Sequence, residues 1–165
     1  MATFTSDSVS GNSAFQNFPQ GNLGVRGASY SITAALSAAD IIQMVDVFKG
    51  ETVYGVILTT TDLDTGGSPS IVLDVGYGGA AASIIDGSTI GQAGGTASSL
   101  AIGNATHGST ATAPVTFTAD DTIDVTVQAG PATGATTGTL TMYLIVWLNI
   151  SSPLFRGRTH FKEQL

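Results

Sequence analysis

Residues 52–77, TVYGVILTTTDLDTGGSPSIVLDVGY, constrain the fold of this chain more than any other stretch. Val53 to Thr60 is rich in Val, Tyr, Ile and Leu with no helical period, and Ile71 to Val75 repeats that composition. Side chains of this kind suit the pleated, half-buried surface of a sheet. Between the two runs stands Asp62-Leu63-Asp64-Thr65-Gly66-Gly67-Ser68-Pro69. Gly reaches positive φ, Asp and Ser bond nearby backbone, and Pro fixes φ, so the segment is turn chemistry throughout. A β-hairpin with an acidic turn is predicted.

The rest of the chain reads in the same way. Thr122 to Gln128 (TIDVTVQ) alternates cleanly, which sends Ile123, Val125 and Val127 inward and Thr122, Asp124, Thr126 and Gln128 outward. Asn22 to Thr33 begins the strands; Leu23 and Val25 share one parity and Tyr30 and Ile32 the other, so a β-bulge is expected at Gly27. Ala34 to Ala39 reads as a turn or one short helical turn. Ile41 to Phe48 is an apolar strand, Lys49-Gly50-Glu51 a turn, and Ala113 to Thr118 a further strand. Ala129 to Thr137 is a hairpin loop, and Gly138 to Ile150 ends apolar on both faces near Trp147, as a strand buried centrally or beneath a partner would. Gly78 to Ala113 is the least regular part, with a short helix expected near Ala80–Ile85 or a short strand near Leu100–Ile102. Ala39-Asp40-Ile41 and Ala119-Asp120-Asp121-Thr122-Ile123 echo one another, as corners would where a carboxylate caps backbone N–H groups and the chain changes sheet. About eight strands with Gly-, Asp- and Pro-rich turns predict an all-β fold. An antiparallel, jelly-roll-like β-sandwich over residues 22–150 is favoured, with an immunoglobulin-like sandwich second.

The flanks have a different composition. Residues 1–21 form a small, polar N-terminal arm carrying Phe4, Phe15 and Phe18, and residues 151–165 form a basic C-terminal tail. Residues 1–150 hold eleven acids against Arg26 and Lys49, whereas the tail holds Arg156, Arg158 and Lys162 against Glu163. Leu154, Phe155 and Phe161 stand beside those cations, an arrangement that suits a docking peptide. Phe15, Phe18, Leu154, Phe155, Arg156, Arg158, Phe161 and Lys162 are therefore the expected partner contacts. Charged residues make up only 10% of the chain, against about 25% in ordinary soluble domains. A surface so poor in charge is expected to be covered by partners.

Several functions lose support. A net charge of −7 disfavours binding to nucleic acid by phosphate neutralisation. With no cysteine, thiolate chemistry, disulfides and Cys-based metal sites are excluded. The first residues have no basic and apolar signal pattern, and the longest apolar run, Met142 to Leu148, is too short to span a bilayer, so a soluble product without a membrane role is expected. Asp64-Thr65-Gly66 spells the triplet of aspartic proteases, but polar Thr61 and Asp62 precede it and no second copy occurs in the chain. Asp62-x-Asp64-x-Gly66 opens like a calcium loop, yet Leu73 stands where an EF-hand needs Glu. Asp62 and Asp64 are the candidates for a looser cation site. His107 has no His or Glu at helical spacing, His160 has Glu163 alone at that spacing, too few ligands for zinc, and no serine lies in a nucleophile elbow. No enzyme and no cofactor is expected.

Six pieces of the chain resemble small tailed-bacteriophage virion proteins. They are Ala39–Met44, Lys49–Val53, Asp62–Gly66, Asp74–Tyr77, Phe117–Val125 and Thr137–Thr141. The resemblance spans most of residues 23–148 and neither terminus. It implies a capsid cement or decoration protein, non-enzymatic and homotrimeric in the family's manner, set on the major capsid protein lattice at the head surface after assembly in the host cytoplasm. The alternative is a head- or tail-fibre knob that binds host glycan through residues 78–113 and 129–137, although these loops contain no exposed-platform Trp or Tyr.

Overall fold

The computed structural model describes residues 2–5, 23–100 and 114–147. Ten strands run through them: β1 (Thr3–Thr5), β2 (Leu23–Ile32), β3 (Ile41–Val47), β4 (Thr52–Thr60), β5 (Val72–Tyr77), β6 (Ala80–Ser88), β7 (Gly95–Ser98), β8 (Val115–Thr116), β9 (Asp121–Ala129) and β10 (Gly138–Trp147). They form two sheets of a jelly-roll-like β-sandwich. One has the order β1-β3-β9-β5-β6, and the other β2-β10-β4-β7 with β8 also on β4. Among the described residues, only β1 and β3 pair in parallel.

Alternation fills the core as expected. Ile123, Val125 and Val127 of β9 are fully buried, and so are Leu140, Met142, Leu144 and Val146 of β10 in the opposing sheet. At about 25 cal/mol per Å² of apolar surface removed from water, these facing rows are the main source of stability. Asp40 and Asp120 also behave as corner carboxylates. Asp40 accepts from the Ser37 and Ala2 amides, and Asp120 from the Lys49 amide, each at a point where the chain passes from one sheet to the other.

The predicted hairpin over residues 52–77 does not form. β4 pairs with β10, β7 and β8, whereas β5 pairs with β6 and β9, so residues 61–71 cross between sheets. Turn-forming residues state that the chain reverses, but not which strand receives it, and cross-sheet burial decides that. The hairpin that does form is β5–β6, closed by Gly78-Gly79 with Gly78 at φ 51°.

The short helix expected near Ala80–Ile85 is instead most of β6, because pairing with β5 overrides the alanines' helix propensity. Of the strand expected near Leu100–Ile102, Leu100 lies in a turn and the remainder falls outside the described residues. Nor is there a bulge at Gly27, since β2 and β10 stay in register from Gly138↔Ile32 to Trp147↔Leu23. The change of parity has another origin: Leu23 and Val25 point out of the sandwich, while Tyr30 and Ile32 point in. The described bulges lie elsewhere, including one on β4 opposite Ile145/Val146 that contains Tyr54.

Candidate functional site

The Asp62–Gly66 turn is held by its own carboxylates. Asp62 Oδ1 accepts from the Asp64 amide at 2.9 Å, a local cap. Asp64 is 1% exposed and accepts four backbone N–H groups. Ser70 (2.6 Å), Ile71 (3.2 Å) and Ala132 (2.8 Å) donate to Oδ2, and Thr133 (2.8 Å) donates to Oδ1. Burial alone would raise its pKa; these four donors outweigh it and hold the carboxyl well below the usual range. Thr65 N–H also donates to Thr133 O, and Ala135 N–H to Leu63 O, so the turn fastens the β4–β5 crossing to the β9–β10 loop. A proteolytic carboxylate must exchange a proton, and a calcium ligand must present free oxygen to the ion. Asp64 does neither in this arrangement. Among the described residues, no group of three or more His, Asp or Glu converges as a metal site would.

A second anchor sits at the other end of β4. Arg26 points inward from β2 and pairs with buried Glu51, which also accepts from the Phe48 amide at 3.0 Å. The guanidinium donates to Asp46 O at 2.7 Å and lies 5.4 Å from the Phe48 ring centroid. These contacts tie β2 of one sheet to the β3–β4 corner.

With those acids engaged in the scaffold, the two outer faces of the sandwich differ sharply. On the β3-β9-β5 face, register places Gln43 opposite Asp124, Asp46 opposite Thr122, and Asp74 opposite Thr126. Burial, against a hydrogen bond from Thr122 and aided by Asp121, pushes Asp124 up to about 6. Asp74 and Asp46 are also raised, burial being the largest cause for each. This face is acidic.

The opposite face, on β2-β10-β4-β7 with β8, has no outward charged side chain among the described residues. One part is a set of hydroxyl pairs, Ser29–Thr141 at 2.9 Å, Thr59–Thr96 at 3.1 Å and Thr52–Thr116 at 2.8 Å. The other is apolar. Leu23, Val25, Tyr54, Leu100, Tyr143 and Trp147 are each between 43% and 55% exposed. Registers Trp147↔Leu23, Ile145↔Val25 and Tyr143↔Gly27 set three of these rows side by side on β10 and β2. Tyr143 lies against Gly27, where a Cβ would stand 3.0 Å from its ring.

The expected contacts Phe15, Phe18, Leu154, Phe155, Arg156, Arg158, Phe161 and Lys162 all lie outside the described residues. The exposed apolar residues of β2, β4 and β10 were not among the expected contacts. Their signal was present in the sequence: apolar residues on both parities of β2, and the two-sided end of β10. β10 is indeed central in its sheet, but the outer side of Tyr143 and Trp147 is open.

The sandwich thus has one acidic face and one uncharged, partly apolar face, and solved structures similar to it come from phage capsids. The chain matches one in the capsid of Ralstonia phage GP4 with a TM-score of 0.72 and 29% identity, covering 90% of this chain and 99% of that one. It also matches a chain of the cyanophage Pam1 capsid asymmetric unit with a TM-score of 0.63 and 27% identity, covering 82% of this chain and 92% of that one. No family model and no curated protein sequence matches. The resemblance to phage virion structural proteins read from the sequence is thus matched by the fold.

Proposed function

We propose that this chain is a virion structural protein, a cement or decoration protein that stabilises a phage head. The observation that carries the proposal is the GP4 capsid match, which extends over nearly the whole of both chains. In this reading the sandwich is a rigid knob on the capsid lattice, and its work is contact rather than chemistry. Thr3–Thr5 of the N-terminal arm belong to this chain's own sheet as β1, so it is the rest of that arm, residues 6–21, and the tail of residues 151–165 that cross subunit boundaries. Phe15, Phe18, Leu154, Phe155 and Phe161 act as apolar anchors, and Arg156, Arg158 and Lys162 pair with carboxylates. The chain acts as a homotrimer, and repeated weak contacts over a closed shell sum to large stability.

The test is removal of residues 151–165. The truncated protein should fold with an unchanged melting curve, yet fail to hold its place when added to heads that lack it. If it decorates those heads normally and they resist heat as before, the role of the tail is wrong.

A further inference from the structure

We infer that the apolar half of the β2-β10-β4 outer face is a contact surface for a second copy of this chain. The inference rests on the preceding reading only in taking the protein to work as an assembly, and it names a surface that does not depend on the arms. Leu23, Val25, Tyr143 and Trp147 lie in adjacent rows on β2 and β10, with Tyr54 on the neighbouring β4, and each is close to half exposed. Scattered exposed apolar residues are ordinary, whereas a contiguous set bordered by hydroxyl pairs marks an interaction surface.

Charge selects the occupant. Around any symmetry axis, the side chains nearest the axis meet their own equivalents. The chain carries a net charge of −7, and its other broad face presents Asp46 and Asp124, both partly exposed, so copies meeting there would bring like charges together. The β2-β10-β4 face has no outward charge among the described residues, and equivalent copies can meet across it without that repulsion. The basic tail is a poorer occupant, because the face offers Arg156, Arg158 and Lys162 no carboxylate. Depletion of charge with enrichment in Tyr and Trp is also the composition of an interface centre. β2 adds a second feature. It is a ten-residue edge strand whose one charged residue, Arg26, turns inward to Glu51. It therefore lacks the outward charge with which free edges usually resist pairing.

The full-length protein would be purified and its mass measured by sedimentation across a concentration series, beside Val25→Glu, Tyr143→Glu and, on the acidic sheet, Gln128→Glu. Circular dichroism melts would establish that each variant folds; the three positions are exposed, so none opens the core. Wild type and Gln128→Glu should sediment as the same oligomer. Val25→Glu and Tyr143→Glu should sediment as single chains at every concentration at which wild type is assembled. A monomeric wild type, or variants that keep the wild-type mass, would overturn the assignment. Head binding separates this outcome from the proposed function. A monomer that still decorates heads leaves the virion role standing and removes the copy-to-copy surface. A monomeric wild type whose Val25→Glu variant no longer binds heads gives the face to the capsid lattice instead.

Discussion

Replacing Glu51 by Leu tests whether the Arg26–Glu51 clip holds the two sheets together. Glu51 is 3% exposed and Arg26 13% exposed. The substitution leaves the guanidinium without its carboxylate and the Phe48 N–H without its acceptor. Removing one member of a buried ion pair costs about 3–5 kcal/mol. Arg26 keeps its bond to Asp46 O, its contact with the Phe48 ring and some access to water, which places the cost at the low end, about 3 kcal/mol. For a chain of this length that is a fall of about 6–12 °C in Tm. Urea titration and thermal melting at one fixed protein concentration would measure it, since assembly makes Tm concentration-dependent. The double variant Arg26→Leu/Glu51→Leu should recover much of the loss, because well-packed apolar groups replace such pairs at little cost. A single variant melting within about 2 °C of wild type would refute the clip's role, as would a double variant worse than the sum of the singles.

Other outcomes follow from the same contacts. Asp124 is raised from 3.8 to about 6 in the folded protein, so between those values the folded state keeps a proton the unfolded state has lost, and stability falls as pH rises. Asp124→Asn should flatten that fall and be more stable than wild type at pH 7, as pH-dependent urea melts would show. Asp64 has the opposite sign: its lowered pKa gives stability that is present above the ordinary carboxyl range and lost as pH falls below it. Asp64→Asn cannot accept from all four amides, so it should melt lower at pH 7, and its deficit should shrink in acid. A Cβ at Gly76 would lie 2.0 Å from the Ala80 carbonyl oxygen, whereas one at Gly55 meets only the flexible, exposed Leu100 side chain. Gly76→Ala should therefore cost about 3 kcal/mol or more, and Gly55→Ala less than about 1 kcal/mol, by chemical denaturation.

Sequence alone determined the class of fold and most of the strands. The alternation of Thr122–Gln128 assigns every side chain of that strand to its correct face, because a period of two needs no knowledge of the partner strand. The corner carboxylate Asp40 was legible for a similar reason, since its bond from the Ser37 amide lies within its own turn, whereas Asp120 takes its donor from Lys49, remote along the chain. What tertiary structure decided is pairing. β4 and β5 look like a hairpin in sequence yet belong to opposite sheets, and Asp64 finds two of its four donors near residue 132, in a loop remote along the chain. The surface of Leu23, Val25, Tyr143 and Trp147 was hidden likewise. An apolar residue in a strand reads as core until the opposing sheet is placed, and here that sheet covers only the other face.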